Sequence, residues 1–95
     1  MKTNSEQYKK EVTDVIYKIS KDKSLLADFL KELLTPREYE NIGMRWQIVK
    51  RLGAGEHHQA IAESLHLGVA TVTRGSREMR KKDGGFRKAL KVIHR

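Results

Sequence analysis

Apolar residues recur along this chain at three- and four-residue spacing and nowhere in sustained alternation, a pattern that predicts helices and no strands. Tyr8, Val12, Val15, Ile16 and Ile19 form a first stripe, with Asn4 or Ser5 as its cap. Lys21-Asp-Lys-Ser24 is a polar break, and Ser24 is expected to open a second helix carrying Leu25, Leu26, Phe29, Leu30, Leu33 and Leu34. That face is wider than so small a chain can cover alone, so a partner chain is its expected cover. Thr35-Pro-Arg-Glu38 is a strong helix start. Thr35 caps, Pro36 takes the first helical position, and Glu38 reaches back to close a capping box. The helix that follows carries Tyr39, Ile42, Met44, Trp46, Ile48, Val49 and Leu52 around much of its circumference, as the central helix of a core would. Gly53-Ala-Gly55 ends it.

The next stretch, Gln59 to Ser76, reads as two short helices with a tight corner between them. Placing Ile61 at the fourth position of a helix-turn-helix puts Ala62, Leu65, Leu67 and Val72 where two steeply crossing helices must bury side chains or keep them small. The corner falls on His66, one of the non-glycine residues that tolerate positive φ, and Gly68 takes the N-cap of the second helix. Val69, Ala70, Thr71 and Thr73 are left outward near the start of that helix, followed by Arg74, Arg77 and Arg80. Short side chains can approach base edges there, while the cations suit phosphates. The second motif helix is expected to run to about Lys82. Asp83-Gly-Gly85 breaks it, and Phe86, Ala89, Leu90 and Ile93 outline a last helix.

The 95 residues make one domain, divided into N-terminal helices suited to dimerisation (5–34), a central helix (35–53), the helix-turn-helix (57–82) and a C-terminal helix (86–94). With no Cys, disulfides and Cys-based zinc sites are excluded. No apolar run is long enough for a membrane span and the N-terminus is polar, so the expectation is a cytoplasmic protein with no membrane partner. Net charge is +8 and unevenly placed. Residues 1–73 carry 11 Lys/Arg against 10 Asp/Glu, whereas residues 74–95 carry 9 against 2. Alone, such a basic tail is equally well a solvated face; joined to a helix-turn-helix it becomes a footprint for double-stranded DNA. His57, His58, His66 and His94 lack the spacing of a metal site. No nucleophile–base set, phosphate loop or carboxylate pair suggests an enzyme.

Leu34-Thr-Pro-x-Glu38, Arg45 with Ile48-Val49, Gly55-Glu56 and above all Ala70-Thr-Val-Thr-Arg-Gly-Ser76 together resemble the Trp repressor family, over about Leu33 to Met79. The resemblance implies an all-α, six-helix, intertwined dimeric helix-turn-helix protein that represses transcription from palindromic operator DNA with L-tryptophan as corepressor. It implies that Arg45 and Arg74 hold the indole between them, where a planar guanidinium stacks on an aromatic face and one of the pair also meets the carboxylate. Backbone carbonyls around Glu32 and Leu34, with Thr35 beside them, would meet the ammonium. Thr71 and Gly75 would line the pocket, part of which the second subunit supplies.

Three departures from the family pattern carry consequences. The link after Gly55 is one residue shorter than in the best-known members. Gln59 and Ala62 stand where well-known members have basic residues that touch DNA. Glu78 replaces a small residue beside the ammonium, where it either helps to hold the ligand or pairs with Arg74 and competes with it. The DNA-facing set is therefore Gln59, Gly68, Val69, Ala70, Thr71, Thr73, Arg77, Arg80 and Lys81. Two alternatives remain: a DNA-binding regulator of this fold that ignores tryptophan, and a non-specific nucleic-acid or protein-interaction module.

Overall fold

A computed structural model describes residues 4–94. Residues 1–3, on which the reading of a polar N-terminus partly rests, and residue 95 lie outside the described residues. Six helices and no strand are found among the described residues: α1 (Ser5–Ile19), α2 (Lys23–Leu33), α3 (Pro36–Gly53), α4 (His58–Leu65), α5 (Val69–Met79) and α6 (Gly85–Ile93). No helix among them is long and apolar enough to cross a membrane. They fall into two compact units, Met1–Tyr39 and Glu40–Arg95.

In the first unit α1 and α2 pack on each other, yet neither holds a fully buried residue. Val12, Val15, Ile16 and Ile19 are half-buried along the expected stripe, while Tyr8 is exposed. On α2, Leu25 and Leu33 remain 47% and 51% exposed, and Leu26, Phe29 and Leu30 are half-buried. The α2 start departs from expectation. Asp22, not Ser24, is the N-cap: its carboxylate accepts from the Leu25 N–H at 3.0 Å, and the helix opens at Lys23. An ionised carboxylate in the cap position satisfies an orphan amide and meets the positive end of the helix dipole, which a hydroxyl two residues later cannot do.

The capping box before α3 forms in both directions. The Thr35 N–H donates to Glu38 Oε1 at 2.8 Å, and the Glu38 N–H donates to Thr35 Oγ1 at 3.2 Å. The Thr35 backbone bond and then its hydroxyl contact hold the Glu38 carboxyl below its ordinary range. A lowered folded-state pKa means the stabilisation is present above the unfolded value and lost as pH falls through the folded one. Wild type should therefore melt above Glu38→Gln near neutrality, with the gap closing in acid as Glu38 is protonated. A gap that is constant with pH would show that the charge adds nothing.

In the second unit α3 ends in a Schellman motif. Gly55, at φ 87°, donates to the Leu52 carbonyl at 3.0 Å, and the Glu56 N–H reaches the Arg51 carbonyl at 3.1 Å. Ile61 and Val72, both 0% exposed, form the core with Ile48 and Ala62, and Leu52, Leu65 and Leu67 pack around it. Within one chain, α3 is buried only toward its end. Ile48 and Val49 in its last turns are buried and Trp46 is half-buried, but Ile42 and Met44 are exposed. Ile48 joins Ile61, Ala62 and Val72 in that core, with Leu52 packed against it.

Candidate nucleic-acid interface

The interface is built on the α4–α5 pair. Four apolar residues at helix-turn-helix positions take the inside, Ile61 and Ala62 on α4, Val72 on α5 and half-buried Leu65, so the remaining faces are turned out. The corner closes through His66, which adopts a left-handed conformation at φ 56° and ψ 45°, while the following Leu67 N–H bonds to the Ala62 carbonyl at 2.8 Å. Gly68 is extended at the N-cap, with no side chain to bond the first amides of α5. Thr71 N–H donates to the Gly68 carbonyl at 3.1 Å, which leaves the Val69 and Ala70 amides available to an outside acceptor.

On the outward side of α5, Val69 (45% exposed), Ala70 and Thr71 are exposed near the helix start, and Thr73 is half-buried. Arg74 and Arg77 are exposed farther along, and Gln59 and Gly68 are exposed nearby in the chain. Ala62, at 3% exposure, belongs to the core and is closed to DNA.

The helix stops earlier than expected. α5 ends at Met79, so Arg80 is its C-cap and Lys81 lies in the following turn. The last bonds, Arg80 N–H to Arg77 carbonyl and Lys81 N–H to Glu78 carbonyl, are three-residue turns that tighten the end. Arg80 and Lys81 are exposed there, on a turn and not on a helix face.

The expected pairing of Glu78 with Arg74 does not form. Its carboxylate takes the Lys81 ammonium at 2.8 Å, not Arg74, and the hydrogen bond and charge of Lys81 hold the carboxyl below its ordinary range. Among the described residues the other ion pair is Lys9–Glu6, so neither Arg45 nor Arg74 is ion-paired. The same contact engages Lys81, one of the expected phosphate cations.

Arg45 and Arg74 are both exposed. A Cβ built on Gly75 would stand 2.8 Å from Ile48 Cγ2, so α3 and α5 approach there as closely as a glycine permits. Arg45 lies one turn before Ile48 on α3, and Arg74 immediately precedes Gly75 on α5. Thr71, Arg74, Gly75 and Glu78 share a side of α5 by their spacing. Glu32 is exposed, Leu34 half-buried and Thr35 exposed, all in the first unit.

Two contacts had no visible sequence signal. Arg51 Nη1 donates to Ser64 Oγ at 2.7 Å, tying α3 to α4, and Arg87 Nε of α6 donates to the Met79 carbonyl. Both depend on pairings between helices that local spacing does not encode. Among the described residues no group of three or more His, Cys, Asp or Glu is placed to hold a metal ion.

The family model described as Trp repressor protein matches residues 6–94, which extends past the Leu33–Met79 stretch to take in α1, α2 and α6. Proteins named Trp operon repressor homolog from Vibrio parahaemolyticus and Vibrio campbellii are each 38% identical over 65 residues. The matches cover 67% of this chain and 63% and 65% of theirs. A protein of the same name from Haemophilus influenzae is 33% identical over 75 residues, 78% of this chain and 74% of its own. The chain thus covers a little under two thirds of the length of the two Vibrio relatives. No solved structure gives a significant match.

Proposed function

The chain belongs to the Trp repressor family, and on that ground we propose that it is a cytoplasmic transcriptional repressor, a dimer on palindromic operator DNA with L-tryptophan as its corepressor. The observation that carries the reading is α5 itself. Its inner face is sealed by Val72 against Ile61 and Ala62, and its outer face offers short side chains at one end and unpaired arginines toward the other.

Val69, Ala70, Thr71 and Thr73 read base edges, while Arg77 and Arg80 hold phosphates; Lys81 contributes less, since Glu78 already engages it. The open amides behind Gly68 suit a further phosphate, and Gln59 supplies a polar contact from α4. Arg80→Ala should weaken binding to all duplexes alike and reduce the salt slope by about one unit. Thr71→Ala should instead relax preference at a few base pairs, each change there being worth about 1–3 kcal/mol. Titrations over a salt series, on a selected palindrome and its scrambled counterpart, check both. An Arg80→Ala protein with altered sequence preference and an unchanged slope would overturn the assignment.

Tryptophan binds between Arg45 and Arg74, with Thr71 and Gly75 at the α5 wall and Glu78 at its edge. The ammonium is assigned to carbonyls around Glu32 and Leu34 beside Thr35, a role supported by the family pattern. Dimerisation is supported by the apolar side chains left open on α2 and α3, Leu25, Leu33, Ile42 and Met44. Sedimentation at micromolar concentration should give a dimer, and a folded monomer there would remove that part of the reading.

The direct test of DNA reading is affinity for palindromic duplexes enriched from randomised half-sites, measured beside scrambled DNA. A preference of at least about tenfold is expected, which corresponds to ~1.4 kcal/mol. Equal affinity for the two would leave only non-specific nucleic-acid binding.

A further inference from the structure

We infer that Arg87, on α6, is a positioning residue that fixes the end of the DNA-reading helix, a role that rests on the proposed function above. Arg80, Lys81 and Lys82 are good helix formers, and nothing local to them requires α5 to stop at Met79. In a continuing helix the Met79 carbonyl would accept from the Asp83 N–H. Here it accepts from Arg87 Nε, in a part-buried bond across eight residues. The chain reverses between them in a tight turn, with the Gly84 N–H on the Lys81 carbonyl at 3.0 Å. A Cβ on Gly84 would lie 3.1 Å from that carbonyl oxygen.

The placement of Arg87 makes sense for α5 and not for α6. Arg87 is the third residue of α6, in a first turn that has no acidic residue, where a cation opposes that helix's own dipole. At the carbonyl end of α5 the same cation is favourable, and a charged donor makes a stronger bond than a neutral one. Met79 is buried and α6 packs on α5, so the clamp is anchored at both ends. Arg77 and Arg80 lie within two residues of the clamped carbonyl. Where α5 ends therefore decides where these two cations meet phosphates.

Lys88 supplies the control. It is the next residue of α6, exposed, with the same charge. In the free full-length protein, amide hydrogen exchange at Arg80 and Lys81 should quicken about tenfold in Arg87→Ala, the scale of one lost hydrogen bond. Arg87→Lys should restore most of the protection, and Lys88→Ala should leave it unchanged. On duplex DNA, Arg87→Ala should weaken binding at least about fivefold more than Lys88→Ala and flatten the salt slope further, since displaced Arg77 and Arg80 neutralise fewer phosphates. Unchanged exchange in Arg87→Ala overturns the clamp. Faster exchange with DNA binding equal to Lys88→Ala overturns its role in positioning the contacts. If Arg87→Ala fails to fold, Arg87→Lys against Arg87→Gln replaces it, with Lys expected to keep the protection and Gln to lose it. A wild-type protein that does not bind DNA would refute the functional reading, while the exchange comparison would still decide whether Arg87 holds α5.

Discussion

Arg45→Ala should abolish the gain in operator affinity that tryptophan confers, while weak tryptophan-independent DNA binding persists. The physical basis is the crossing of α3 and α5 at Ile48 and Gly75. With only a glycine at the contact, the crossing is close, and its angle determines how α5 is presented to a groove. A recognition helix that samples several tilts must be ordered when a dimer engages two half-sites, and that ordering opposes binding. On the proposed reading, an indole held between Arg45 and Arg74 would order the helix beforehand, which would appear as coupling between ligand and DNA. A coupling of ~1.4 kcal/mol per site is tenfold, and two sites give on the order of a hundredfold. Arg45 is on α3 and not among the residues proposed to face DNA, so its removal should affect the response and spare the basal contacts. Operator titrations without and with saturating L-tryptophan measure this. A full response in Arg45→Ala would exclude Arg45 from the site.

Ile61→Ala should have the largest effect on stability. Ile61 is wholly buried and meets Val72, Ala62 and Ile48 at the centre of the second unit. Truncating such a side chain removes its burial and leaves a cavity, together about 2–5 kcal/mol. Against a total of roughly 5–15 kcal/mol for a domain, that is a large share. Chemical denaturation should show the loss, and operator binding should fail on modest warming. Gln59→Ala, two residues earlier and exposed, serves as the control and should change stability by less than about 0.5 kcal/mol. A comparably small change in Ile61→Ala would mean that this cluster is not the core.

The parts of the fold that were legible in advance are those in which one short run determines the outcome. Thr35, Pro36 and Glu38 encode their capping box within four residues, and it forms. Ile61, Ala62 and Val72 are buried because the helix-turn-helix corner leaves them one direction to point, and His66 takes the left-handed turn that the corner requires. Local spacing decides less where two residues satisfy the same rule. Asp22 and Ser24 are both capping residues in one polar break, and the charged one caps. Glu78 could reach Arg74 one turn back or Lys81 three residues on, and it takes Lys81.

The end of α5 was not legible at all. At that end the Met79 carbonyl accepts from Arg87 Nε, eight residues away, a contact between helices that no window of periodicity contains. How much of α3 a single chain buries was not legible either. Its circumference is apolar enough for a central helix, but within one chain Ile42 and Met44 stay open. The exposure of Thr71, Arg74 and Arg77 on α5 follows from spacing and charge. Which cations are already engaged, as Lys81 is, required coordinates.

The central claim is that tryptophan switches this protein onto DNA. The most direct measurement is the affinity of the wild-type protein for a palindromic duplex, enriched from randomised half-sites in the presence of L-tryptophan, at zero and at saturating ligand. Binding on the order of a hundredfold tighter with tryptophan is the expected result. Equal affinity under the two conditions would contradict the claim and leave a constitutive DNA binder on the same scaffold.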